Sequence, residues 1–243
     1  TSYSKINGKD QNDIRNAIHA GLDASFKLTR DYNDLGLSRL GLTKLRHTVE
    51  PFMHYSFVAT DKLDSDIGKI DRLVSSTKLR PIDLSEFTAT DEINDWSIIR
   101  SGISQKFLTY RDGKAHNWLT LKSYMEHYID DPEFDRDFSN LYNEVTFTPL
   151  PWFSISHEIG VPLFTEDPFD YTESNTRFTL MPTDQLEFSI AHRFLHDHPI
   201  LEDSDLLDFR TYYRIGDRWG LSARQRYEFD DGYIQQEKSI SNH

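Results

Sequence analysis

At 243 residues the chain can form one large domain or two small ones, and no run of about eighteen apolar residues occurs in it, which excludes a membrane-crossing helix. Its formal net charge is −13, from 40 acidic against 27 basic residues, so the basic footprint that nucleic-acid phosphates require is missing; with no cysteine, neither a disulfide framework nor a thiolate metal site can form. Aromatic residues are nonetheless frequent, at 13%, for a chain with 28% charged residues, as the ring girdles of a membrane barrel require.

The first clean alternation runs from Ile14 to Tyr32. Ile18, Ala20, Leu22, Ala24, Phe26 and Leu28 fall on one face, and His19, Gly21, Asp23, Ser25, Lys27 and Thr29 on the other. Burying Asp23 and Lys27 in a dry core is costly, whereas a watery lumen removes the cost. A connection with Gly36 and Gly41 leads to KLRHTVEPFMHYSFVA, from Lys44 to Ala59, which reads as one long strand. Leu45, His47, Val49, Pro51, Met53, Tyr55 and Phe57 form a mostly apolar face, with Arg46, Thr48, Glu50, Phe52, His54 and Ser56 opposite. A soluble strand averages about five or six residues and a membrane-crossing one needs about nine to eleven, so length points to a bilayer. Pro51 removes a ladder donor within this strand and is a strand-kink candidate whose weakened pairing would help a wall to open.

The polar segment from Thr60 to Asp95, with Pro81 and scattered apolar residues, is too long for a turn and predicts a folded extracellular loop or plug. Strands are then expected over Trp96 to Thr109 and Asn117 to Tyr128 around an Asp112-Gly113 turn, and over Phe138 to Thr148 and Trp152 to Leu163 around Pro149-Leu150-Pro151. Thr172 to Met181 and Gln185 to Phe194 share Pro182-Thr183-Asp184; Leu206 to Ile215 and Trp219 to Phe229 share Gly216-Asp217-Arg218; a further strand begins near Tyr233. In the second half, short and long connections alternate, as periplasmic turns and extracellular loops do in outer-membrane barrels. The acidic excess gathers in connections, Asp61 to Asp66, Asp130 to Asp137, Glu166 to Glu173 and Glu202 to Asp208, where solvated loops or recruitment of divalent cations account for it.

Four segments carry a family resemblance. Leu45-Arg46-His47 followed by Val49-Glu50-Pro51, the triplet Ile70-Asp71-Arg72, WSIIRSGISQKFLTYRDG from Trp96 to Gly113, and RIGDRWGLSARQRY from Arg214 to Tyr227 resemble barrel segments of the outer-membrane lipopolysaccharide-assembly family LptD, also called OstA. The resemblance covers most of the chain from Ile14 onward. It implies an all-β, antiparallel transmembrane β-barrel in the cell outer membrane of a Gram-negative-type cell. Residues 1–243 would be a single barrel region, an incomplete, open and strongly curved part of a larger barrel with about 10–11 strands and a loop insertion at about 60–95. The implied function is non-enzymatic delivery of lipopolysaccharide to the outer leaflet. Implied partners are lipopolysaccharide, the outer-membrane bilayer, an LptE-like lipoprotein plug and periplasmic lipopolysaccharide-transport bridge proteins. The family often carries disulfides, for which this chain has no cysteine. No secretory signal opens the sequence, and the last residues fall inside a new strand pattern, so a mature or truncated piece is expected. A general or sugar-selective porin and an outer-membrane lipase are the alternatives.

No catalytic residue, metal ligand or cofactor is assigned. His196-Asp197-His198 with Glu202, Asp203 and Asp205 has acceptable metal-ligand types, but its spacing is no recognised cage. Ser156 and His157 are adjacent in a strand and point to opposite faces, so they cannot pair as a lipase nucleophile and base. His47, His157 and His192, on apolar faces, read as interfacial or barrel-edge residues. The lumen-facing candidates are Asp23, Lys27, Arg46, Glu50, Arg100, Lys106, Glu158, Arg193, Arg210, Arg214, Arg224 and Arg226, joined by Lys122, Glu144 and Arg177. Such charges neutralise one another in water, or they present bidentate donors to a plug-like partner or an anionic saccharide.

Overall fold

The computed structural model describes residues 2–6, 9–13, 16–33, 44–61, 71, 76–111, 114–133, 136–163, 171–198, 201–229 and 232–242. A two-stranded hairpin, β1 (Ser2–Ile6) and β2 (Lys9–Asp13), which the sequence reading does not anticipate, precedes one twelve-stranded sheet. The sheet comprises β3 (Ala17–Ser25), β4 (Leu28–Tyr32), β5 (Leu45–Thr60), β6 (Trp96–Arg111), β7 (Lys114–Asp130), β8 (Leu141–Leu150), β9 (Phe153–Val161), β10 (Thr172–Thr183), β11 (Leu186–His196), β12 (Ser204–Ile215), β13 (Trp219–Glu228) and β14 (Tyr233–Asn242). Each strand from β5 to β14 pairs with its sequence neighbours, and β3 and β4 both pair with β5. Every described strand pairing is antiparallel, and the path does not close, because β14 and the β3/β4 pair lie at its opposite ends. Among the described residues helix is confined to two 3₁₀ turns, Leu84–Glu86 and Thr90–Glu92. The expected all-β antiparallel class is therefore the observed one.

The count exceeds the expected 10–11 because the first predicted strand is split. Ser25 pairs with Phe52 and Leu28 with Val49, the same register on both sides of the gap, so Phe26 and Lys27 stand opposite Pro51 and Glu50. The Phe26 amide donates to the Pro51 carbonyl at 3.4 Å, but proline has no amide hydrogen to return, and the ladder lapses there. Prolines also shift two hairpin ends. Pro149 and Pro182 lie inside β8 and β10 rather than in the turns, each where two residues face one, Thr148 and Pro149 against Ser154, and Met181 and Pro182 against Glu187. A bulge leaves one amide unpaired, which is the position a proline tolerates. The Gly216 turn is as expected, with Gly216 at φ 62°; Asp112-Gly113 and the connection with Gly36 and Gly41 lie outside the described residues.

Contacts divide the chain into two compact units. The first gathers Thr1–Ser25, Phe52–Ser101 and Met125–Ser139. Its core is Val58, Trp96, Ile98 and Tyr128, against which Ile82, Leu84, Phe87 and Ile93 pack. These core residues sit at even positions of β5, β6 and β7, in phase with Arg46, Glu50 and Lys106; the polar face thus turns apolar near one end of these strands, and the segment 76–95 covers it. Ser56 fastens this cover. Its hydroxyl donates to the Ile82 carbonyl at 2.5 Å and accepts from Trp96 Nε1 at 3.0 Å. Its one hydrogen is thereby used, so His19 Nε2, 3.1 Å away, must be the donor to it. Asp83 caps the first 3₁₀ turn by accepting from the Ser85 amide and hydroxyl, and these bonds hold its carboxyl below the ordinary carboxylate range.

The second unit gathers Phe26–Pro51, Gly102–Tyr124 and Asn140–His243. Its burial is inverted relative to a water-soluble sheet. Asp208 is 6% exposed while the adjacent Phe209 is 42% exposed, and Ser189 is 4% exposed beside Ile190 at 45%. Register links the apolar side chains into one row across six strands: Leu119, Phe147, Ile155, Phe178, Ile190 and Phe209, on β7 to β12. A second row joins Phe153, Leu180 and Phe188. From β8 to β14 the strands have nine to twelve residues, the length that a tilted membrane-crossing strand needs.

Candidate functional site on the polar sheet face

Because side chains alternate and the registers keep phase, the polar residues form a continuous face opposite the apolar rows. Asp23 on β3 bonds His54 on β5 (2.5 Å), and Lys27 meets Glu50 at 3.3 Å. Arg46 grips Asp31 with two bonds, at 2.7 and 3.1 Å. Lys27, Thr29, Arg46, Thr48, Glu50, Ser104, Lys106 and Leu108 line a cleft of about 290 Å³, which brings four of the candidate residues together. Both ion pairs there are solvent-exposed and contribute little to stability.

Arg100 belongs to a different, buried cluster in the first unit. Glu126, only 3% exposed, accepts from Arg100 Nε at 2.9 Å, Arg100 Nη2 at 2.5 Å and the Tyr128 hydroxyl at 2.8 Å. The same Nη2 donates to the Arg80 carbonyl at 2.5 Å, while the Arg80 side chain pairs with Glu133 and Arg136 pairs with Asp131 at 2.8 Å. Three arginines tie the segments before β6 and after β7 to the strand ends. Charge assistance and full satisfaction of Glu126 make this a structural clamp rather than an open binding surface.

The remaining candidates lie on β9 to β13. Glu158 faces Glu144 and Asn175, Arg193 faces Asn175 and Leu206, and Arg214 faces Gly220. Arg210 stands opposite Arg224, and Asp208 opposite Arg226. Arg224 holds Asp208 in a two-pronged bond at 2.8 and 2.7 Å, with Arg226 4.0 Å from the same carboxylate. Asp208 is the centre of this group; period-two alternation in the sequence places it on the polar side with Arg210, Arg214, Arg224, Arg226 and Glu228, and the register shows that it joins the arginines.

Polar groups on the apolar face are also partnered. His47 stacks on Phe107 (centroids 4.1 Å) and meets Gln105 at 3.1 Å; His157 meets Thr176 at 2.9 Å, and His192 meets Asp205 at 2.6 Å. His157 turns away from Ser156, as alternation requires. At the β11–β12 connection His196 Nδ1 lies 2.8 Å from Asp203 and Nε2 3.3 Å from Asp197, so the imidazole clips the loop. These three residues offer ligand atoms within 4.8 Å of one another, all exposed, whereas His198 lies tilted against the Tyr171 ring. The acidic residues 62–66 and 166–170, and Ile70 and Arg72 of the family triplet, lie outside the described residues.

No protein-family model matches the chain, and no curated protein matches it significantly. The family resemblance therefore rests on its short segments; of these, Trp96 to Arg111 is β6, and Arg214 to Tyr227 holds the end of β12, the turn and most of β13.

Proposed function

We propose that this chain forms part of the wall of an outer-membrane β-barrel, with the apolar rows against lipid and the polar face toward a water-filled lumen. The observation that carries the reading is the inverted exposure of Asp208 and Phe209, repeated at Ser189 and Ile190 on the neighbouring strand. Leaving so many large apolar side chains in water forfeits roughly 25 cal/mol for each Å² they expose, a cost that lipid contact removes. Unpaired strand edges are intolerable in hydrocarbon, so the edges of β14 and of β3/β4 are covered in the membrane by further strands or by each other.

The resemblance of the four segments to lipopolysaccharide-assembly barrels supports the finer reading: non-enzymatic delivery of lipopolysaccharide into the outer leaflet, with a lipoprotein plug and periplasmic bridge proteins as partners. Pro51, opposite Phe26, weakens the pairing of β3/β4 with β5 and suits a wall that opens. A porin is the second reading, favoured by the segment 76–95 packing on the polar-face phase of β5 to β7 as a constriction loop does. Photo-crosslinkers placed in cells at Thr146 and Phe147 separate the two. The export reading expects lipopolysaccharide adducts from Thr146, on the polar face, and no steady conductance in planar bilayers; open-channel current without adducts would overturn it in favour of the porin.

A further inference from the structure

Arg210 and Arg224 are direct cross-strand neighbours on the polar face of β12 and β13. Like charges so placed destabilise a sheet unless something neutralises them. Arg224 is neutralised by Asp208, and Glu237 faces it from β14. Arg210 has no hydrogen-bond or ion-pair partner among the described residues. Arg226 reaches Asp208 only at 4.0 Å, donates from Nη1 to Gln235 at 3.3 Å and keeps a buried Nε without a hydrogen-bond partner. Arg177 lies in the same cross-strand row as Asp208, with only Ala191 between them, and its charge acts on that carboxylate. The residues of β11 in this region, Ser189 and Ala191, are short, so arginines from both sides can reach over the strand. Four guanidinium groups thus gather around Asp208 and Glu237, with Glu158 and Glu187 diagonal to Arg177 and Arg210 on the neighbouring strands.

We propose that Arg177, Arg210, Arg224 and Arg226 form a receptor for a doubly charged phosphate group, a phosphate monoester or pyrophosphate on a water-soluble or saccharide carrier. Guanidinium groups match phosphate oxygens with paired, charge-assisted bonds, and the phosphate adds to the neutralisation that Asp208 and Glu237 begin. The proposal deepens the wall reading and rests on it for one point, that water reaches this face.

The test uses the full chain refolded in detergent, titrated calorimetrically with pyrophosphate at constant ionic strength, with thermal unfolding in parallel. Expected are saturable one-to-one binding, a rise in the unfolding midpoint, and affinity at least tenfold weaker in Arg210→Ala and Arg226→Ala. Without ligand, Arg210→Ala removes the like-charge pair, so its midpoint rises by a few degrees, and pyrophosphate then adds little. Lys114→Ala, at the start of β7, should bind as the unsubstituted chain does. Equal affinity in Arg210→Ala, or the same stabilisation by chloride at matched ionic strength, overturns the proposal. A phosphorylated hexosamine and phosphatidic acid in mixed micelles separate the ligand sources: the soluble sugar phosphate should bind, and binding of the lipid alone would contradict a site on the polar face. Refolding into vesicles, scored separately, tests the wall reading, so either failure is recognisable.

Discussion

The Phe26 amide reaches the carbonyl of Pro51 directly across the β3/β4–β5 ladder, and Pro51 has no hydrogen with which to answer. The Phe26 carbonyl thereby loses its ladder donor, and a strand that could run unbroken from Ala17 to Tyr32 becomes two. Pro51→Ala should restore the donor. The new bond contributes about 1 kcal/mol, partly offset by the freer unfolded chain of the variant, so hydrogen exchange is the sharper readout. The new amide at position 51 should be protected, and protection of Phe26 and Leu28 should rise. Unchanged exchange at both would show that the break has another cause.

Thr146 and Phe147 are consecutive in β8 and belong to opposite faces. Phe147→Arg should impair folding into lipid vesicles by about 2–4 kcal/mol if it lies near the bilayer midplane, whereas Thr146→Arg, beside Glu144 and Glu158 on the polar face, should be close to neutral. Equal losses for the two in a urea-dependent refolding assay would remove the distinction between the faces.

Arg100→Ala leaves Glu126 buried with only the Tyr128 hydroxyl from its three donors, and breaking a buried pair of this kind costs about 3–5 kcal/mol. The loss should be local. Limited proteolysis should cut within 76–95 more readily, while β8 to β14 still insert. The double substitution Arg100→Met with Glu126→Met should recover much of the protection, because it leaves no uncompensated charge. If Arg100→Ala is cleaved no faster than the parent chain, the clamp does not hold that segment.

Strand identity and the two faces were legible in the residues because period-two alternation is local: Phe153 to Val161 and Leu186 to Phe194 show it without reference to any partner. The strand break at Phe26 was not legible, since its cause sits on the neighbouring strand. Pro149 and Pro182 read as turn residues in the sequence because a proline excludes regular pairing, and only the register shows that bulges admit them. The charged residues could be placed on a face but not joined into groups. Asp208 gathers Arg224 and Arg226 through cross-strand register, and Arg100 finds Glu126 on another strand. The cover over Val58, Trp96 and Ile98 escaped detailed reading because Ile82, Leu84, Phe87 and Ile93 follow no strand or helix period, although the apolar content of that segment already pointed to a folded loop.

The membrane-wall reading is tested most directly along β11. The chain has no cysteine, so single cysteines can be introduced at each position from Leu186 to Phe194 and spin-labelled after refolding into vesicles. Accessibility to oxygen, which concentrates in lipid, should peak at 186, 188, 190 and 194, and accessibility to a water-soluble nickel chelate at 187, 189, 191 and 193. A profile without period two, or one with lipid contact at Ser189 and Ala191 and water at Phe188 and Ile190, would contradict it.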